Sequence, residues 1–241
     1  MRSNRQGLVL VVLVVLVTLL GIGIVGCAKK KEEDGPIGKV SQADADRLNA
    51  EHSKFDDAKD PKINANTRFA AGQLAESQNS PQKAIMQYRE ALKLEPEHQP
   101  SLYRLAVVYA QVKEYPLALM TWEKYIKATD GSAAGFSNLG FCYELAGKPD
   151  EAEAAYKKAI AKDPKYQPAR VNFGLMLARS GRVNEATIQL QSMLSPAEVQ
   201  YNLASVFEQM GRKDQARAAY QKALELEPNM SDAKERLAAL E

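Results

Sequence analysis

From residue 65 onward the apolar positions recur at three- and four-residue spacing, in blocks broken by short polar turns. In Asp150 to Ala161, for example, Ala152, Ala155, Tyr156 and Ala159 fall on one stripe, while Lys157, Lys158 and Lys162 fall outside it. The stretch Asn138-Leu139-Gly140-Phe141-Cys142-Tyr143 sets a Gly among large residues, which suits a helix that approaches another closely. Turns are expected at Gly147-Lys148-Pro149, Ser180-Gly181-Arg182 and Met210-Gly211-Arg212. Each turn is followed by a second helical block, so the pattern predicts helix hairpins.

The hairpins repeat. Segments begin at residues 65, 99, 133, 167 and 197, at intervals of 34, 34, 34 and 30. Matching offsets hold Ala71-Gly72, Leu105-Ala106, Leu139-Gly140, Phe173-Gly174 and Leu203-Ala204, then Ala84, Ala118, Ala152, Ala186 and Ala216. Four residues further stand Tyr88, Trp122, Tyr156, Leu190 and Tyr220, and Pro96, Pro164 and Pro228 close three of the segments, where Pro ends a helix. A single hairpin cannot cover its own apolar face, so neighbours must stack. The expected fold is an all-α solenoid of about five hairpins over 65–230 (65–98, 99–132, 133–166, 167–196, 197–230). A capping helix is expected over 231–241, with Ser231 as its N-cap, Leu237 on its apolar side, and Asp232, Lys234, Glu235 and Arg236 on its exposed side.

This array resembles the tetratricopeptide repeats, whose hallmark is W-x₂-L-G-x₂-Y followed by A-x₃-F and later A and P. Phe136, Leu139, Gly140, Tyr143, Ala152, Tyr156, Ala159 and Pro164 fill all eight hallmark positions in the third unit. Departures are Arg68 in place of an aromatic, Lys113 and Asp130 in place of Gly and Pro, and the fourth unit, four residues short. The first helix should therefore pack loosely. Ser195-Pro196-Ala197-Glu198 reads as a helix start, with Ser as cap, Pro in the first turn and Glu three residues after the cap.

The N-terminal quarter is of another kind. Residues 1–7 carry Arg2 and Arg5, residues 8–25 (LVLVVLVVLVTLLGIGIV) carry no charge, and Gly26 precedes Cys27, the basic, apolar, small order of a secretory signal. Ile24-Val25-Gly26-Cys27 resembles the lipobox of bacterial lipoprotein signals. That resemblance implies cleavage before Cys27 and its lipidation, and three acyl chains exceed what stable anchoring requires. An uncleaved N-terminal anchor is the other reading, since 18 apolar residues stand near the length of a membrane span. The resemblance, with Ala28 rather than Asp after the cysteine, favours the outer membrane facing the periplasm; the alternative is the inner membrane. Residues 27–64 are expected to form a linker, charged over Lys29 to Asp34, closed by Gly35-Pro36, and partly helical over 41–60 around Leu48 and Phe55.

Charge removes some classes of partner. The 32 Lys and Arg against 30 Asp and Glu give +2, which disappears with Arg2 and Arg5, so nothing favours a nucleic acid. Catalysis lacks its parts. His52 and His98 lie in different regions and form no metal-ligand spacing, and Gly21, Gly23 and Gly26 follow no strand, so they cradle no phosphate. Cys142 reads as a small buried hydrophobe. No cofactor, metal or catalytic residue is expected, and the chain reads as a non-enzyme.

Binding is expected instead. In the resembled family the first helices line the concave face, and positions just before the Leu-Gly pair point into it. Here those are Phe69-Ala70, Tyr103-Arg104, Ser137-Asn138, Val171-Asn172 and Tyr201-Asn202. Asn138, Asn172 and Asn202 form a ladder of amides that both donate and accept, able to pair with a peptide backbone whatever its sequence. The plainer reading is that Asn is common at this position and meets solvent. Phe69, Tyr103, Phe141 and Tyr201 supply apolar contacts beside the ladder or belong to the core. Arg104 alone resembles part of the Lys and Arg clamp with which chaperone-binding members hold a terminal carboxylate. The architecture resembles the small repeat lipoproteins of tight-adherence and type IV pilus systems, which implies a non-catalytic envelope scaffold that assists assembly of a pilus or secretion machine. An adaptor in peptidoglycan or outer-membrane biogenesis, and a self-associating structural protein, are the alternatives.

Overall fold

A computed structural model of the chain describes residues 63–240, and eleven helices run through them. They pair as α1 (Ala65–Ser77) with α2 (Pro81–Leu94), α3 (Gln99–Gln111) with α4 (Tyr115–Ala128), and α5 (Ala133–Leu145) with α6 (Pro149–Lys162). The series continues with α7 (Gln167–Arg179) and α8 (Val183–Gln191), α9 (Pro196–Gln209) and α10 (Lys213–Leu226), and ends in a lone α11 (Ser231–Ala238). The fold is thus the all-α solenoid of stacked hairpins that the repeat requires, closed by a terminal helix. Cys27, His52 and the helix expected over 41–60 lie outside the described residues.

Local chemistry sets the boundaries. Asn64 caps α1, its side-chain oxygen accepting from the Thr67 amide at 2.9 Å. At α9 the capping box is complete: the Glu198 amide donates to Ser195 Oγ at 3.3 Å, and the Ser195 amide donates to the Glu198 carboxylate at 2.8 Å. Helices α2, α6 and α10 end at Leu94, Lys162 and Leu226, two residues ahead of Pro96, Pro164 and Pro228. Within the hairpins the chain reverses through the left-handed region, with φ of 73° at Gly147 and 80° at Gly181. The second hairpin puts Lys113 there at φ 63°, at a cost of about 1–2 kcal/mol to a residue that carries a Cβ.

Each hairpin closes on a small residue of its first helix and a large one of its second. A Cβ added at Gly140 would lie 2.9 Å from Tyr156 Cδ1, one at Gly174 2.8 Å from Leu190 Cγ, and one at Gly72 2.4 Å from Tyr88 Cε1. Ala84, Ala118, Ala152, Ala186 and Ala216 are all fully buried. Packing extends in two clusters: one joins the first two hairpins to Leu139, Cys142 and Ala155 of the third, and the other runs from Ala152 and Tyr156 to Ala233 of α11. Hairpin three thus stands in both.

The two ends of the array depart from its interior. Helix α1 buries little, only Ala65, Gly72 and Ala75, and Leu74 is 60% exposed, where its repeat equivalents Val108, Cys142, Met176 and Val206 are buried. Among the described residues no hairpin precedes α1, and the position of Leu74, covered in the later hairpins, is left exposed there. At the other end Ser231 does not cap α11. Met230 occupies the cap, and the Ser231 hydroxyl donates to its neighbour Asp232 instead, because Ser231 is already the first helical residue. Ala233, more than the half-buried Leu237, seats the helix.

Any side chain larger than hydrogen at the Gly140 crossing must displace the Tyr156 ring. Gly140→Leu is expected to lower stability by about 1–3 kcal/mol or more, read as a shift of the urea midpoint. An unchanged midpoint would show that the crossing does not limit packing.

Candidate functional site

The first helices of hairpins three, four and five pack side by side, α5 against α7 and α7 against α9. On this face Asn138, Asn172 and Asn202 are half-buried at equivalent positions. Asn202 commits one donor to its own helix, from Nδ2 to the Glu198 carbonyl at 2.8 Å. Asn138 shares its helical stripe with Phe141 and Leu145, three and seven residues on, which are 37% and 42% exposed. Val107 and Leu175, at the offset of Phe141 in the adjacent hairpins, are half-buried, so an apolar row runs beside the amide row. Repeat offset alone identifies Val107 and Leu175 once every first-helix position is aligned.

The other aromatics expected at the site serve partly as its walls. Phe69 lies 5.7 Å from the Tyr88 ring and 5.7 Å from His98. Tyr103 meets Trp122 edge-on at 5.2 Å and Tyr125 at 5.6 Å, and Tyr201 packs on Tyr220 at 5.6 Å. These rings remain half-buried, so each presents only one edge outward. His98 is structural: its ring bonds the Ser101 hydroxyl at 2.8 Å and the Asn66 amide at 3.0 Å, and 6% of it is exposed. Cys142 is 1% exposed, and burial pushes its thiol up to about 11, so it is a protonated core group at neutral pH.

Arg104 is not available in the way a carboxylate clamp needs. Its guanidinium donates two hydrogen bonds to the Glu76 carboxylate, one from Nε at 2.9 Å, and Glu76 also accepts the Tyr88 hydroxyl. The same triad recurs. In hairpin three Tyr156 donates to Glu144 at 2.6 Å, and Arg179 of the next hairpin donates to the other Glu144 oxygen. In hairpin five Tyr220 donates to Glu208 at 2.7 Å, with Arg236 of α11 at 3.4 Å.

The physical reason is the phenol. Tyr88, Tyr156 and Tyr220 are fully buried, and a buried hydroxyl without a partner costs about 1–3 kcal/mol, so an acceptor must stand twelve residues earlier. Where the large residue has no hydroxyl, as at Trp122 and Leu190, that position is Ala110 or Ala178. This pairing is legible in the repeat, though only when the two positions are compared with each other. Burial raises the Tyr156 pKa well above the ordinary phenol range, and the Glu144 carboxylate adds to it. The Tyr88 and Tyr220 phenols move the same way for the same two reasons.

Elsewhere, a cleft of about 220 Å³ lies between α6 and α8, with Phe173 and Leu177 in its floor and Glu153, Lys157, Arg182 and Ile188 at its edge. Arg182 ties Glu153 to Glu185 across it, at 2.6 Å to each. Both carboxyls are held below the usual range by hydrogen bonds from that guanidinium. Among the described residues no group of His, Cys, Asp and Glu has the makings of a metal site, and no helix is long and apolar enough to cross a membrane.

Stacked hairpins with one lined helical face define a repeat solenoid of the kind that binds through surface rather than reaction. Two family models, each described as tetratricopeptide repeat, match residues 133–166 with 197–230 and residues 69–134, more than half of the chain between them. The chain belongs to the tetratricopeptide repeat family. The fourth hairpin, with its shortened second helix, falls outside both matches. The small glutamine-rich tetratricopeptide repeat-containing protein 2 of Saccharomyces cerevisiae is 33% identical over 151 residues, 55% of this chain and 44% of that protein. The chain spans less than half the length of the curated relatives it matches. Among solved structures, the thermophilic TPR protein TTC0263 of Thermus thermophilus is 25% identical with a TM-score of 0.54, covering 73% of this chain and 98% of that one. YrrB, described as a TPR protein with an unusual peptide-binding site, is 22% identical with a TM-score of 0.50 over 78% of this chain and 96% of its own. The array is a non-catalytic protein–protein interaction module.

The buried phenols make the fold sensitive to alkali. The folded-state pKa of Tyr156 is raised, so its contribution is complete below pH 10, where the unfolded phenol begins to ionise, and declines as pH rises further. Above that pH Tyr156 removes about 1.4 kcal/mol per pH unit. Urea unfolding between pH 9 and 11 should therefore lose stability less steeply in Tyr156→Phe. Parallel slopes for the two proteins would mean that the phenol ionises without unfolding.

Proposed function

We propose that the chain is a membrane-tethered scaffold of the bacterial cell envelope that holds an extended, largely uncharged protein segment along its inner face. The observation that carries the binding half is the composition of that face. Asn138 and Asn172 offer amides beside the exposed apolar surface of Phe141 and Leu145, while Arg104 and Arg179 are engaged by Glu76 and Glu144. A backbone in extended form pairs with amides whatever its sequence, and apolar side chains find the Phe141 and Leu145 surface. A terminal carboxylate has to compete with Glu76 for Arg104. YrrB, with the same fold, is described as having a peptide-binding site, which makes a peptide a natural ligand class to test.

Panning a displayed peptide library on residues 28–241 is the direct test, and apolar, uncharged sequences should be enriched. Each amide contributes about 0.5–1.5 kcal/mol, so Asn138→Ala with Asn172→Ala should weaken the selected peptides by about tenfold, and Phe141→Ser should weaken them further. Enrichment of acidic peptides, or affinity unchanged in the folded variants, would remove the inner face as the binding surface.

The tethering half rests on Ile24-Val25-Gly26-Cys27 and the apolar run before it. Lipid at Cys27 confines the inner face to one membrane surface and raises the effective concentration of a membrane-bound partner. The location that best fits is the outer membrane facing the periplasm, and assembly of a pilus or secretion machine is the role such a tethered scaffold would fill. Labelled fatty acid should enter the mature protein, and its intact mass should show loss of residues 1–26 and acylation at Cys27. An unmodified chain retaining those residues would leave an uncleaved anchor as the tether.

A further inference from the structure

Polar ties between neighbouring hairpins alternate with their absence. Hairpins one and two are joined by Arg104 to Glu76 and by His98 Nε2 to Asn66 Oδ1 at 3.0 Å. Hairpins three and four are joined by Arg179 to Glu144, by Arg182 to Glu153 at 2.6 Å, and at their connecting segment by Arg170 Nε to the Pro164 carbonyl at 2.8 Å. Hairpin five and α11 are joined by Arg236 to Glu208 at 3.4 Å and by Arg217 to the Leu240 carbonyl at 2.9 Å. Between hairpins two and three the side-chain bonds among the described residues are confined to the connecting segment, where the Thr129 hydroxyl meets the Tyr125 carbonyl at 2.8 Å and the Ser132 hydroxyl at 2.9 Å. Between four and five, beyond the capping box that starts α9, no side-chain hydrogen bond crosses among the described residues, and neither interface has an ion pair among them.

The alternation is written in the chain. At the carboxylate position hairpins two and four carry Ala110 and Ala178, so neither offers an acid to the hairpin that follows. The answering arginine keeps no single position, since that of Arg104 holds Asn138, Asn172 and Asn202 later in the array, and that of Arg179 holds Leu145 and Gln209 in hairpins three and five. An interface held by apolar contact alone is attractive but non-directional, so neighbouring helices can slide by a fraction of a side chain at small cost. A hydrogen bond weakens steeply with distance and angle, and a charged one more so, which fixes the register of the helices it joins. The carboxylates here are sheltered: the side chains of Glu76 and Glu144 are 15% and 12% exposed.

We propose that the array moves as three clamped blocks, hairpins one with two, three with four, and five with α11, joined by two hinges at which adjacent hairpins shear. The hinges lie between Arg104 and Asn138 and between Asn172 and Asn202, so their motion changes the spacing of the inner-face row while each block stays rigid. Shear of packed helices between rigid bodies is an established mode of domain motion. The hinges follow from the interfaces alone and do not depend on which ligand the face accepts.

Met86, Met120, Ala154, Ile188 and Ala218 are exposed at one repeat position of the five second helices, which makes them matched sites for spin labels. The full chain in detergent, with Cys27→Ser and Cys142→Ala so that only introduced cysteines react, would carry labels pairwise on adjacent members of that row. Broad distance distributions are expected for the 120–154 and 188–218 pairs, and narrow ones for 86–120 and 154–188. Glu76→Gln keeps an acceptor for Tyr88 but removes the ion pair, and should raise the sheared population of the 86–120 pair about fivefold. Ala110→Glu with Trp122→Tyr and Asn138→Arg builds the missing clamp and should reduce shear at 120–154 by a similar factor. Equal widths at all four interfaces, or an 86–120 distribution that Glu76→Gln leaves unchanged, would overturn the hinges. The Glu76→Gln arm decides the matter even where the threefold variant fails to fold.

Discussion

The structure depends on one steric constraint repeated five times: a residue with little or no side chain in the first helix of each hairpin faces a large one in the second. Gly72 faces Tyr88, Gly140 faces Tyr156 and Gly174 faces Leu190, at distances that no Cβ would survive unmoved. Ala106 and Ala204 hold the corresponding places before Trp122 and Tyr220, and both are fully buried. Because the crossing is this close, the second helix can bury its ring completely. The hairpin still cannot cover the remaining faces of its two helices, so stacking is compulsory; in α1, the first helix described, Leu74 stays exposed where its equivalents in the stacked hairpins are buried.

Burying a tyrosine rather than a leucine then brings a second requirement. The phenol needs an acceptor, the nearest place for one is the end of the first helix, and a carboxylate put there has to be partly desolvated beside its own partner. The arginine that answers it comes from the following hairpin or from the closing helix in each of the three cases, Arg104, Arg179 and Arg236. A choice made inside one hairpin therefore decides how firmly it is joined to the next. Trp122 and Leu190 end this chain of requirements at its first step, since neither asks for a carboxylate.

How much of this could be read from the sequence follows the same division. The crossing residues, the turns and the capping box are local or strictly periodic, and the repeat displays them five times. Arg104 is different: considered by its own position in the inner-face row it resembles a ligand-binding cation, and only its reach to Glu76, 28 residues away, shows that it is occupied within the fold. Such a partner is invisible to a reading that compares equivalent positions one column at a time. The link appears only when columns are compared with each other, Glu with Tyr and Ala with Trp or Leu. Ser231 departs from expectation for a smaller reason. Capping preference identifies the right neighbourhood of a helix start, but which of two adjacent residues leaves helical geometry is set by how α11 seats through Ala233.

The fourth hairpin shows how the array tolerates an irregular member. Helix α8 has 9 residues where α6 has 14, and it buries only Ala186 and Leu190. The missing residues lie after Gln191, so the part of α8 that remains still borders α6 across a cleft with the buried Phe173 and Leu177 in its floor. Two sets of polar contacts flank α8. Arg182 bridges the cleft edge to Glu153 of the preceding hairpin, and the Ser195 and Glu198 capping box restarts the chain as α9 in the register that the fifth hairpin needs. The Asn row continues through this place because register is restored in the first helices, which stay at 13 and 14 residues while the second helix absorbs the whole deletion. Length is thus lost on the side of the solenoid away from the amide row, and the face that would meet a partner keeps its periodicity.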